Sequence, residues 1–205
     1  MATLDAYLKG VAAAVSLTFA LAVWWGGRER RETRLLALFL ALIGANQAFE
    51  TLRALDPGGA AGWLRAATVA AALDPLALVA YARGRLGERF VPRRLVLAAG
   101  AASVALALAA PWVVPREQRV PASHAVETAL VAYTAAAYSL VLVAYARALR
   151  DDAARPAEAP LYVGVSLVAM PLWSRAAGDV VALASTWPRL APLAPAKVLV
   201  GLAVA

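Results

Sequence analysis

Cysteine is absent from this 205-residue chain, and histidine occurs once, at His124. The first absence excludes disulfides, thiolate metal sites and cysteine nucleophiles, though it says nothing of redox compartment. The second leaves no His-x-x-x-His pair, so haem ligation and zinc catalysis have no ligand set, and no metal is expected. A Gly-rich phosphate loop and a Gly-x-Ser-x-Gly elbow are also missing, so the chain does not read as an enzyme. Lysine is nearly absent too: only Lys9 and Lys197 are lysine, and the other 18 of the 20 basic residues are arginine.

Apolar residues dominate. They make up 62% of the chain, with a mean hydropathy of +0.67, and they fall in runs of about twenty residues, the length an α-helix needs to cross a bilayer. Seven such runs can be drawn, at Leu4–Trp25, Leu35–Leu55, Ala61–Ala82, Leu95–Val114, Ala122–Ala146, Ala159–Ala184 and Leu190–Ala205. Spans of this kind must be helical, because an open strand edge stays unsatisfied in hydrocarbon. The expected fold is therefore an all-α integral membrane bundle, a single seven-helix domain over residues 1–205. Its expected location is the cell membrane, inner or plasma, as a multi-pass protein surrounded by lipid.

The net charge of +7 does not point to nucleic acid, since the arginines sit in short loops between apolar runs. Loops one, three and five are the rich ones, carrying Arg28, Arg30, Arg31 and Arg34, then Arg83, Arg85, Arg89, Arg93 and Arg94, then Arg147, Arg150 and Arg155. Loops two, four and six hold Arg53 and Arg65, Arg116 and Arg119, and Arg189. By the positive-inside rule the odd loops are cytoplasmic, with the N-terminus outside and the C-terminus inside. Trp24 and Trp25 close the first span on the inner side, and Trp63, Trp112 and Trp187 mark outer boundaries. The string Leu-Val-Ala-Tyr-Ala-Arg ends spans three and five, at Leu78–Arg83 and Leu142–Arg147, and reads as a reused interface anchor. No basic flank follows the last run, so the chain reads as truncated, with a cytoplasmic continuation expected after Ala205.

Ionisable residues inside the spans are the candidates for function, because hydrocarbon tolerates them poorly. Asp74 lies midway between Arg65 and Arg83, and Lys197 lies about 12 Å inward of Arg189 at 1.5 Å per residue. Opposite charges at one depth should face each other in the bundle. Arg175 and Asp179 are spaced to pair along one face of span six. Asn46, Glu50 and Arg53 form a polar stripe toward the outer end of span two. Together they outline an outer polar cluster: a hydrated vestibule, or side chains snorkelling to the headgroups. His124 and Glu127 begin span five as solvated surface residues. Pro75, Pro171, Pro192 and Pro195 each remove a helix donor inside a span or beside Lys197.

Seven spans, a mid-membrane lysine in the last, Asp74-Pro75-Leu76 in the third and Pro171 in the sixth resemble microbial rhodopsins. The segment Ala196-Lys197-Val198-Leu199-Val200-Gly201-Leu202 is similar to that family's retinal-lysine segment. The resemblance implies retinal on Lys197 as a protonated Schiff base, with Asp74 as counterion and Trp173 and Pro171 lining the chromophore. Leu193 and Val69 stand where proton-pumping members carry carboxylates, which argues against an outward pump. Ala70, Leu167 and Ser174 stand where the family sandwiches retinal between tryptophans, leaving Trp173 as the nearby aromatic. From Leu35 onward the layout also resembles the seven-helix N-terminal sensor region of histidine kinases. That resemblance implies signal input without a chromophore and a cytoplasmic signalling domain or protein as output partner. The functional expectation is a sensor or receptor, photosensory or retinal-free. A small proton-coupled carrier using Lys197 and Asp74 is the alternative, and no convincing half-to-half repeat supports it.

Overall fold

A computed structural model describes residues 2–27, 29–114, 121–151 and 159–186 of the chain. All six elements longer than a single turn are α-helices: α1 Ala2–Gly27, α2 Arg31–Leu55, α3 Ala60–Leu86, α4 Arg93–Ala109, α5 Pro121–Arg150 and α6 Ala159–Thr186. A 3-10 turn, Ala110–Trp112, extends α4. No strand occurs among the described residues. These helices coincide with the first six expected spans, and five of them, α1 to α5, are long and apolar enough to cross a membrane. The expected seventh span, residues 190–205, lies outside the described residues.

The helices overrun the apolar runs at their arginine-rich ends. α2 starts at Arg31, α3 runs on to Leu86, and α5 reaches Arg150. Arginine is a good helix former, so the backbone has no reason to stop where the hydrocarbon run stops. What ends α3 is Gly87, at φ +90°, a conformation open to glycine without a Cβ penalty.

Successive helices pack as antiparallel neighbours. Leu17 meets Gly44 and Lys9 meets Glu50 between α1 and α2. Phe49 stacks on Trp63 between α2 and α3, with ring centroids 6.2 Å apart. Tyr145 stacks on Tyr162 between α5 and α6 at 3.7 Å. α3 is the central helix, packing on α2, α4 and α5, whereas α1 leans on α2 and α6 on α5. One end of the bundle holds the α2–α3 and α4–α5 connections. The other holds the arginine-rich connections, where an Arg89–Asp151 ion pair of 2.9 Å links the α3–α4 connection to the end of α5.

The repeated Leu-Val-Ala-Tyr-Ala-Arg string does not act as a pair of exposed interface anchors. Tyr81 and Tyr145 are both buried in the core. A tyrosine can buffer an interface only if its ring faces outward, and here both rings face neighbouring helices.

Large apolar side chains cover the outside of the bundle. Leu21, Trp25, Leu108 and Met170 are each more than two-thirds exposed. Soluble monomers rarely expose contiguous apolar patches larger than a few hundred Å². Polar side chains inside the helices are mostly satisfied locally. Thr18, Thr51, Thr68, Thr128 and Thr134 each donate to the carbonyl four residues earlier. Such back-bonding hides a hydroxyl where no water is at hand.

At the α2–α3 turn, Asp56 accepts from the Trp63 indole at 2.9 Å and from the Gly59 amide at 3.1 Å. The Trp63 hydrogen bond, followed by that of Gly59, holds this carboxyl below the usual aspartate range. A Cβ at Gly59 would collide with the Asp56 carboxylate and the Trp63 indole, so glycine there leaves room for their hydrogen bond.

Candidate functional site

Asp74 occupies the middle of the most buried helix, about 16 Å along α3 from Trp63 at 1.5 Å per residue. Its side chain is buried. Tyr138 of α5 donates to Oδ2 at 3.3 Å, while Oδ1 is buried with no hydrogen-bond partner among the described residues. Tyr138 is held in place by Phe39 of α2, whose ring meets it edge-on at 6.1 Å and 68°. Three helices thus fix one carboxylate.

The next residue, Pro75, deprives the Ala71 carbonyl of its helical donor, because proline has no N–H to give. α3 nevertheless continues unbroken through it to Leu86. Ala71 and Asp74 both line a cavity of about 750 Å³, so a spare carbonyl and a half-satisfied carboxylate share one wall.

The cavity runs between α1, α2, α3, α5 and α6 toward the end that holds the α2–α3 connection. Its deeper walls are Phe39, Ile43, Val131, Thr134, Tyr138 and Val165. Its rim is charged, with Lys9, Glu50, Arg53, Glu127 and Arg175. Glu50 accepts from Arg53 at 2.7 Å and lies 3.6 Å from the Lys9 ammonium, which also pairs with Asp5 at 2.9 Å. Asn46 spans α2 and α3 by donating to the Ala67 carbonyl at 2.9 Å. A charged mouth over an apolar shaft with one carboxylate in its wall suits recognition of a small molecule or ion with a polar end. Pockets that fix a ligand commonly combine an apolar lining with a few placed polar groups.

The residues singled out by sequence divide into three groups. Asp74, Asn46, Glu50 and Arg175 all line this cavity. Trp173 does not line it. Its indole donates to Ser139 on α5 at 2.9 Å, and nearly half of the side chain is exposed. Leu172 and Arg175 face the cavity, and Trp173 is rotated about 100° from Leu172 by helix geometry. The side chains of Pro171 and Asp179, and Lys197 altogether, lie outside the described residues.

The sequence does not mark Lys9, Thr134 or Tyr138 as site residues, and Glu127 reads from it as a solvated surface residue. The pairing register of α1 on α2 is what carries Lys9 to the rim, opposite Glu50. The one available signal was that Tyr138 falls mid-span in α5, where a phenol needs a partner.

Compared with protein-family models, with curated proteins and with solved structures, the chain matches none.

Proposed function

We propose that the chain is a multi-pass membrane sensor of seven helices, with residues 190–205 as the last span, the N-terminus outside and the C-terminus cytoplasmic. One observation carries this reading. A buried carboxylate stands in the wall of a cavity of about 750 Å³, with an oxygen that no described residue satisfies. An ionisable group at such depth calls for a counter-charge. Lys197, at matching depth in the final apolar run, is the cation the sequence offers.

In this reading a signal molecule enters past Lys9, Glu50 and Arg175 and changes what Asp74 faces. The helices carrying the charge pair then settle into a second arrangement, which a cytoplasmic signalling domain or protein reads. A ligand shifts such an equilibrium only by its differential affinity for the two arrangements. That role suits the site: a carboxylate poised between partners. The chemistry of reception needs no turnover, so the reading is of a receptor rather than an enzyme.

The absence of cysteine makes the test direct. Ala71→Cys and Thr134→Cys, in the cavity wall, are expected to react with a membrane-impermeant maleimide added from outside. Val104→Cys and Val143→Cys, on exposed apolar faces, are expected to stay unlabelled, because a thiol in hydrocarbon does not ionise. Equal labelling at all four positions would remove the vestibule.

A second reading, retinal-based photosensing, has the apolar shaft beside Asp74 in its favour. Retinal held by Lys197 would supply light absorption, and Asp74 would balance the positive charge. The described residues supply that carboxylate but no tryptophan wall, since the Trp173 indole is engaged with Ser139. Expression with all-trans retinal separates the two readings. A visible band that Lys197→Ala abolishes makes the protein photosensory; a colourless, folded protein makes it a chromophore-free sensor.

A further inference from the structure

The opposite end of the bundle carries a second built feature that the sensing reading does not use. A cleft of about 550 Å³ opens between α2, α3 and α4, lined by Arg31, Glu32, Leu35, Arg83, Arg93 and Leu97, among others. Three guanidinium groups against Glu32 in the lining and Glu88 beside Arg83 leave it with a net positive charge. Arg83 is the informative member. Its Nη2 reaches Glu88 at 3.2 Å, but its Nη1 is fully buried and has no hydrogen-bond partner among the described residues. A buried guanidinium N–H without an acceptor is costly, and a rotation of the partly exposed Arg83 side chain would turn it to an anion in the cleft.

Two further features point the same way. α4 begins at Arg93, after Pro92, with no side-chain cap, so its first amide N–H groups add positive partial charge at the cleft. Gly84 lets the Glu32 stem lie close against α3, since a Cβ there would stand 3.1 Å from Glu32 Cγ. The acidic side chain of the lining is thereby packed on the wall.

We infer that this cleft binds the phosphate of an anionic phospholipid headgroup, held by Arg31, Arg83 and Arg93. A lipid fits better than free phosphate because the charged cleft continues into an apolar track. Leu97, Val104 and Leu108 of α4 are all exposed along the side of the helix that leads away from it. Acyl chains laid on that track would keep the headgroup at the arginines. The inference rests on the membrane placement alone and stands whether or not the Asp74 cavity is a sensor.

The test is native mass spectrometry of the full chain released from bilayers that mix phosphatidylglycerol and phosphatidylcholine with identical acyl chains. Phosphatidylglycerol adducts are expected to predominate. Removing one arginine of the cleft should lower the preference by about fivefold, the equivalent of roughly 1 kcal/mol per basic residue near a lipid surface. Arg31→Gln and Arg93→Gln change exposed side chains and should fold normally, and Arg83→Gln tests the buried nitrogen. Arg65→Gln, at the other end of the bundle, should leave the preference intact. Equal adducts of both lipids, an unchanged preference in the cleft variants, or the same loss in Arg65→Gln would overturn the assignment. Displacement of the lipid by inorganic phosphate would overturn its lipid part, because a site that reads phosphate alone needs no acyl track.

Discussion

Asp74→Asn and Lys197→Met, each made alone, are expected to destabilise the protein sharply, and the two together are expected to restore much of the loss. The reason is an asymmetry in low-dielectric interiors. A buried pair gives little net stability, yet removing one member leaves the other charge unpaired, at about 3 kcal/mol or more. For a chain of this size that is a fall of roughly 10 °C in the unfolding midpoint. The double variant has no isolated charge, so its loss should be smaller than that of either single change.

Thermal unfolding of all four proteins in lipid nanodiscs gives the coupling directly. The structure makes the Asp74 half of the cycle specific. Tyr138 satisfies Oδ2 and leaves Oδ1 as the atom that awaits a partner. If the two single losses simply add in the double variant, Asp74 and Lys197 do not pair. The sensing proposal would then have to find another cation for the carboxylate. Retinal would not rescue it, because the same lysine is required there.

Gly44→Ile is the second change expected to have a large effect. A Cβ at Gly44 would stand 2.8 Å from Leu17 Cγ and 3.2 Å from the Leu17 backbone nitrogen. A flexible side chain could move aside; the backbone nitrogen can give way only if α1 itself shifts. α1 has α2 as its main neighbour, so displacing it at this crossing weakens its principal interface. Overpacking of a close-packed contact costs about 1–3 kcal/mol, and a branched side chain against backbone belongs at the upper end. The Lys9–Glu50 pair and the Thr51–Ala6 hydrogen bond depend on the same register and should be lost with it.

Gly62→Ala is the matched control. A Cβ at Gly62 meets nothing within 4 Å, so that substitution should be neutral, or stabilising by up to about 1 kcal/mol from helix propensity. Midpoints that fall equally in Gly44→Ile and Gly62→Ala would show that the α1–α2 approach is not the determinant.

Much of this molecule can be read from hydropathy, and particular residues show where the reading stops. The boundaries of α2 and α3 lie within a few residues of the expected spans because twenty apolar residues can satisfy their backbone in lipid only as a helix. The depth of Asp74 was equally legible, since rise per residue is fixed and Arg65 and Arg83 bracket it. Rotation about the helix axis was not. α6 is apolar on nearly all sides, so nothing in its sequence distinguishes the face that meets lipid from the face that meets α5. The rhodopsin resemblance places Trp173 on a chromophore wall, and the structure turns its indole onto Ser139.

Lys9 shows the same limit between helices. Its place at the rim depends on how far α1 slides along α2, which is set by the fit of Leu17 over Gly44. The sequence by itself determined that the described residues form long apolar helices, five of them long enough to cross a membrane, where the charges fall along each, and which end collects the arginines. These follow from one-dimensional quantities, hydropathy and residue spacing. Tertiary structure alone decided which side chains share a cavity, that Tyr138 partners Asp74, and that Arg83 buries an unsatisfied nitrogen in a basic cleft. Those depend on azimuth and register, which are fixed by side-chain packing between helices far apart in the chain. Lipid and protein interior are alike in polarity, so a hydropathy pattern carries no record of the choice.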